Sequence, residues 1–104
     1  MAELIILESA QKELEETARI HLNLVGPNSA EKITDLIYDA IARLETFPLS
    51  GRIPQDKELR DRGYRFVVAG KYICVYRLIG ESVFIYHGAH GASNYPSRFK
   101  KMKK

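Results

Sequence analysis

Beyond the middle of this chain the hydrophobic period changes from about 3.6 to 2, and that change limits the folds open to it. Between Ala10 and Leu44 apolar residues recur every three to four positions, which is the spacing of amphipathic helices. Between Tyr64 and His87 apolar and aromatic residues instead form short runs of β-favouring types. Helices followed by a block of strands are typical of an α+β domain.

The start of the chain predicts a strand followed by a helix. Residues 2–7 form a short apolar run, and Ser9 is a residue type that can cap the helix after it. Gly26-Pro27 ends that helix, because glycine accepts the left-handed C-terminal conformation and proline cannot continue the hydrogen-bond ladder.

A second helix is predicted directly after the Gly-Pro turn. Asn28 followed three positions later by Glu31 has the spacing of a capping box, and the apolar stripe that follows ends near Thr46, just before Pro48. Two long helices joined by so tight a turn form an antiparallel helical hairpin.

Three strand-like runs complete the pattern. They cover residues 64–68, 72–78 and 82–87, and short segments centred on Gly70 and Gly80 separate them. We therefore predict an α+β domain with an N-terminal strand, an antiparallel helical hairpin and a three-stranded antiparallel meander. We expect the helical hairpin to cover one face of the sheet and the first strand to join the sheet.

Length and composition point to one domain without cofactors. The 104 residues suit a single core, which we place at residues 1–96, with a basic C-terminal tail at 97–104. No apolar run approaches the ~20 residues that cross a bilayer, and the acidic N-terminus lacks a secretory signal, so we expect no membrane partner and a cytoplasmic location. Cys74 is the single cysteine and falls within an apolar run, where we expect it in the core. With three histidines, the chain predicts no metal site and no cofactor.

Charge is divided unevenly between the two halves of the chain. Residues 1–59 carry six Lys and Arg against eleven Asp and Glu, a net charge of −5. Residues 60–104 carry ten Lys and Arg against two acidic residues, a net charge of +8. A basic half of this size favours an acidic or polyanionic partner.

The basic half also contains the candidate chemistry. His87 and His90 end the last strand and are either acid–base groups or polar residues that close the strand. Arg60, Arg65 and Arg77 are interleaved with tyrosines, so they either bind phosphates or carboxylates of a partner or form salt bridges with the acidic helices.

Several motifs in combination resemble the RelE/ParE superfamily of type II toxin-antitoxin toxins. They are Phe-Pro-x-x-Gly-Arg at 47–52, the segment Tyr64–Arg77, the histidine pair and Tyr95-Pro96, within a likeness that covers residues 2–96. The resemblance implies a toxin that a cognate antitoxin neutralises, in a heterotetramer or a larger complex. The partner-binding residues that we predict are Arg60, Arg65, Arg77, His87 and Tyr95.

The superfamily has two activities, and the sequence favours the ParE-like one. ParE-like members inhibit DNA gyrase by binding and act in plasmid stabilisation, whereas RelE-like members are endoribonucleases that cut mRNA on the ribosome. Two basic positions expected for the ribonucleases fall here near Ile73 and Gly91. The ribonuclease alternative would use Arg65, His90 and Tyr95 as catalytic residues. A third alternative is an inactive relative that only binds its antitoxin.

Overall fold

The computed structural model describes residues 2–90, apart from the side chains of Ala89 and His90. Within this range the chain forms four strands and three helices, in the order β1 (Glu3–Ile6), α1 (Glu8–Leu24), α2 (Pro27–Thr46), α3 (Lys57–Asp61), β2 (Arg65–Ala69), β3 (Tyr72–Ile79) and β4 (Ser82–His90). The predicted α+β fold, with its helical hairpin and three-stranded meander, is confirmed.

The four strands form one sheet in the order β1-β4-β3-β2. β2, β3 and β4 are antiparallel neighbours, while β1 runs parallel to β4 with Glu3 opposite Ser82. The two hairpin turns place Gly70 and Gly80 at φ values of 62° and 63°, a region that glycine adopts without a steric cost. β2 is the edge strand beside α2.

Both predicted helix caps are wrong. Ser9 lies inside α1, and its hydroxyl donates to the Tyr86 carbonyl of β4 at 2.9 Å instead of capping the helix. α2 begins at Pro27 with Gly26 as its N-cap, so the proline takes the first-turn position that needs no N–H donor and Asn28 follows inside the helix.

The helical hairpin buries one face of the sheet. Its inward residues are Ala10 and Leu14 of α1 together with Ile37, Ala40, Ile41 and Leu44 of α2. They pack against the sheet residues Ala69, Cys74, Tyr76, Val83 and Ile85. The prediction that Cys74 belongs to the core is confirmed.

The opposite face of the sheet has its own smaller core, which the sequence analysis did not predict. Leu59 of α3 and Tyr64 pack there with Ile73, Val75 and Tyr86. The five-residue helix α3 is capped at its N-terminus by Asp56, whose carboxylate accepts a hydrogen bond from the Leu59 N–H at 3.1 Å. This cap aims Leu59 at the sheet.

The turn end of the helical hairpin packs little apolar surface. Every buried residue of α1 lies in its first half, and every buried residue of α2 in its second half. The turn end instead exposes four large apolar side chains, here called the tip surface: Ile20, Leu22, Leu24 and Val25. Across residues 2–90, no helix combines the length and the apolar character that crossing a bilayer requires.

Candidate functional site

Residues 47–53, the connector between α2 and the second half of the chain, are fixed by the phenol of Tyr76. The Gly51 N–H donates to the Tyr76 hydroxyl at 3.0 Å, and that hydroxyl donates to the Pro48 carbonyl at 2.8 Å. Tyr76 is fully buried in β3. Gly51 is required there, because a Cβ would lie 2.8 Å from the Cζ atom of the Tyr76 ring.

Arg65 and Arg52 supply further contacts to the connector. Nη1 of Arg65 donates to the carbonyls of Leu49 and Gly51, at 3.3 and 3.2 Å. Arg52 exchanges both backbone hydrogen bonds with Phe66 on the outer edge of β2, at 2.7 and 3.0 Å. A seven-residue segment without helix or strand is therefore attached to two strands of the sheet.

The outer side of the connector carries apolar and basic side chains. Phe47, Leu49 and Ile53 are 63%, 59% and 56% exposed. Phe47 also lines a cleft of about 300 Å³ together with Arg43 and Arg52. We call Arg43, Phe47, Leu49, Arg52 and Ile53 the connector surface.

Arg77 lies on the opposite face of the sheet, between two tyrosine rings. Its guanidinium carbon is 4.9 Å from the ring centroid of Tyr64 and 5.1 Å from that of Tyr86. Nε and Nη2 donate to the Tyr86 hydroxyl at 3.2 and 2.8 Å, and Nη1 donates to the Arg62 carbonyl at 3.3 Å. These hydrogen bonds engage all three guanidinium nitrogens of Arg77, and its charge contacts both aromatic rings.

His87 is held by a carboxylate of the first helix. Its Nδ1 lies 2.8 Å from Oε1 of Glu13, which also accepts the Gly88 N–H at 3.3 Å. Both side chains are about one quarter exposed. A carboxylate on Nδ1 fixes the orientation of an imidazole ring, as in many acid–base sites.

The structure distributes the predicted site residues over different parts of the molecule. Arg65 contacts the connector, His87 contacts α1, and β3 lies between their strands. Arg60 is exposed on α3 and donates to the Gln55 carbonyl at 3.3 Å. The predictions for the His90 side chain, for Tyr95 and for the tail at 97–104 lie outside the described residues.

Burial raises the pKa of three groups in or beside the sheet. It raises the pKa of the Cys74 thiol from 9.0 to about 12, so this cysteine is not a thiolate nucleophile. Burial also raises the pKa of Tyr76 and of Tyr64 above the ordinary 10.0. Within residues 2–90 the buried Tyr64 hydroxyl has no hydrogen-bond partner.

Two of these arrangements were missed by the sequence analysis. The sequence analysis did not single out Glu13, although it lies three positions after the buried Ala10 and therefore close to the inward stripe of α1. Arg65 and Arg77 were expected to form salt bridges with the acidic helices if they did not bind a partner. Within the described residues they bind carbonyls and a tyrosine hydroxyl instead.

The chain belongs to the family of ParE toxins of type II toxin-antitoxin systems (parDE), whose family model matches residues 4–95. This confirms the predicted resemblance to the RelE/ParE superfamily. The fold is similar to a solved chain described as "Chromosomal ParDE TA system from P. aeruginosa", with a TM-score of 0.72 and 19% sequence identity. The similarity covers 86% of this chain and 96% of that one. No curated protein matches the sequence.

Proposed function

We propose that this ParE-family toxin acts in the cytoplasm by binding and inhibiting DNA gyrase, and that a cognate antitoxin neutralises it. The match of the ParE family model to residues 4–95 supports this function over the others of the superfamily. An inhibitor that acts by binding needs a fixed contact surface and no catalytic centre.

The observation that carries the proposal is the position of Arg65. In an RNA-cleaving centre this guanidinium would have to reach the scissile phosphate together with an acid–base group. Here its Nη1 atom donates to two connector carbonyls, and β3 separates its strand from that of His87. Strands two positions apart are about 10 Å from each other. Arg65 therefore supports a surface rather than a reaction.

The antitoxin partner is supported by family membership and by charge. The family belongs to type II toxin-antitoxin systems. The second half of the chain carries a net charge of +8, which suits an acidic antitoxin segment, because complementary charge speeds association. We propose a heterotetramer or a larger complex for the neutralised form.

Inducible expression in a bacterium with a DNA-damage reporter tests the proposal. Gyrase trapped on cleaved DNA should arrest growth and induce the reporter, and the purified protein should increase cleaved complexes formed by purified gyrase. Growth arrest with a silent reporter, together with unaffected gyrase, would contradict the proposed target.

One observation favours a second function, the RelE-like cleavage of mRNA on the ribosome. The Glu13–His87 pair orients an imidazole in the way that an acid–base catalyst requires. This function predicts that the wild type cleaves mRNA on purified ribosomes, and that Arg65→Ala lowers the cleavage rate by orders of magnitude. Tyr76→Phe is the control, since it loosens the same connector and leaves the guanidinium in place. An absence of cleavage by the wild type would exclude this function.

A further inference from the structure

The connector surface differs from the tip surface in its charge. Within residues 2–90, Arg43 and Arg52 form no ion pair, and both line the cleft beside Phe47. Arginine and aromatic side chains are the residue types enriched at protein interfaces. The chemistry that complements them is an apolar protein surface flanked by carboxylates.

The connector surface is also fixed before any partner arrives. Hydrogen bonds from Tyr76, Arg65 and Phe66 hold the backbone of the connector beneath this surface at four positions: Pro48, Leu49, Gly51 and Arg52. A surface that is already ordered loses less conformational entropy on binding than a mobile loop does. A protein that acts by binding alone gains most from such a surface.

We propose that the toxin engages its target through the connector surface, and that the target contributes an apolar patch flanked by carboxylates. This inference rests on the proposed inhibition by binding. Phe47 and Leu49 supply the apolar contact, while Arg43 and Arg52 pair with the carboxylates. The tip surface, although apolar, is not the contact with the target.

Two matched pairs of exposed variants test this assignment. Leu49→Ser is compared with Leu24→Ser, which makes the same change on the tip surface at a side chain that is 80% exposed. Arg43→Glu is compared with Arg19→Glu, which reverses an exposed charge on the other long helix. Each variant is expressed in the bacterium for growth arrest, purified for the gyrase cleavage assay, and checked for folding by its thermal midpoint.

The proposal predicts that Leu49→Ser and Arg43→Glu raise the concentration for half-maximal cleaved-complex formation at least tenfold and relieve growth arrest. Leu24→Ser and Arg19→Glu should stay within threefold of the wild type. Wild-type potency in the two connector variants, or a loss of toxicity in the tip variants alone, would overturn it.

The growth readout separates this inference from the choice of gyrase. If the wild type arrests growth without affecting gyrase, and only the connector variants relieve the arrest, then the docking surface stands and the proposed target fails. If gyrase is poisoned equally by all four variants, then gyrase stands and the docking surface fails. A wild type that arrests no growth would overturn both.

Discussion

The connector and the tip of the helical hairpin both expose apolar side chains, but the fold holds them differently. Side chains of β2 and β3 bind the connector backbone at Pro48, Leu49 and Gly51. At the tip, His21 lies 2.7 Å from the Tyr72 hydroxyl and 3.2 Å from the Ser29 hydroxyl, and these contacts tie the helices to each other and to β3. The backbone is hydrogen-bonded in both regions, since the Val25 N–H at the tip donates to the His21 carbonyl at 2.9 Å. The two regions differ in that side chains of the sheet hold the connector backbone, and that Arg43 and Arg52 line the cleft beside it.

The largest effect is expected from Gly51→Ala. The added Cβ would overlap the Tyr76 ring, which is fully buried. Such overpacking should lower the free energy of unfolding by about 3 kcal/mol. Urea denaturation measures it. Gly88→Ala is the control, since its nearest contact would be an ordinary 3.5 Å to Leu14, and a comparable loss there would remove the special role of Gly51.

Tyr76→Phe should have the next largest effect. It removes the hydroxyl that accepts the Gly51 N–H and donates to the Pro48 carbonyl, so both backbone groups lose a partner. We expect a loss of about 2 kcal/mol in the free energy of unfolding, again by urea denaturation.

Tyr64→Phe is the matched control on the other face of the sheet. The Tyr64 hydroxyl is buried without a partner within residues 2–90, so its removal should leave stability unchanged or raise it by up to about 1 kcal/mol. Equal losses in the two variants would contradict the assignment of the connector to the Tyr76 hydroxyl.

Alkaline pH should lower the free energy of unfolding gradually. Burial raises the pKa of Cys74 from 9.0 to about 12, and raises that of Tyr76 above 10.0. The unfolded chain then releases these protons first, so stability is intact below pH 9 and falls above it. The slope is up to about 1.4 kcal/mol per pH unit for each group.

The urea midpoint between pH 8 and 11 measures this decline. Cys74→Ala should abolish the decline between pH 9 and 10 and make it shallower above pH 10, where Tyr76 still contributes. A profile that is the same in both proteins would show that the thiol is not held neutral by burial.

The smallest effect on stability is expected from the exposed apolar residues. Leu24→Ser and Leu49→Ser each replace a side chain that is more than half exposed. Both should change the free energy of unfolding by less than about 0.5 kcal/mol in thermal or urea denaturation. A large loss of stability in either variant would mean that the replaced side chain supports the fold. The effect of that variant on toxicity could then be explained by unfolding, without a contact with the target.

The sequence was sufficient to predict the elements that have a repeated apolar period. It was not sufficient where a single contact determines where an element begins or whether it forms. The apolar stripes of α1 and α2 and the glycines of the two hairpin turns were sufficient to predict the hairpin and the meander. The start of α2 was misassigned because Asn28 and Pro27 compete for the same first turn. The helix α3 was missed because five residues are too few to show a period, although Asp56 carries the cap.

The site was harder to predict because its contacts join distant parts of the chain. Arg65 and Leu49 are 16 positions apart, and Glu13 and His87 are 74 apart. The motif Phe-Pro-x-x-Gly-Arg was recognised as a family feature, whereas its physical basis is the close approach of Gly51 to Tyr76. A local sequence pattern does not predict which strand will pack against a distant loop.

Amide hydrogen exchange of the wild type tests the ordered connector most directly. The Gly51 and Arg52 amides donate to Tyr76 and Phe66. They should exchange at least tenfold more slowly than the Asn28 and Ser29 amides at the tip, which lie in the first turn of α2 and have no side-chain cap. Tyr76→Phe should abolish the protection of Gly51. Equally fast exchange in the connector and at the tip would contradict a connector surface that is fixed before its partner binds.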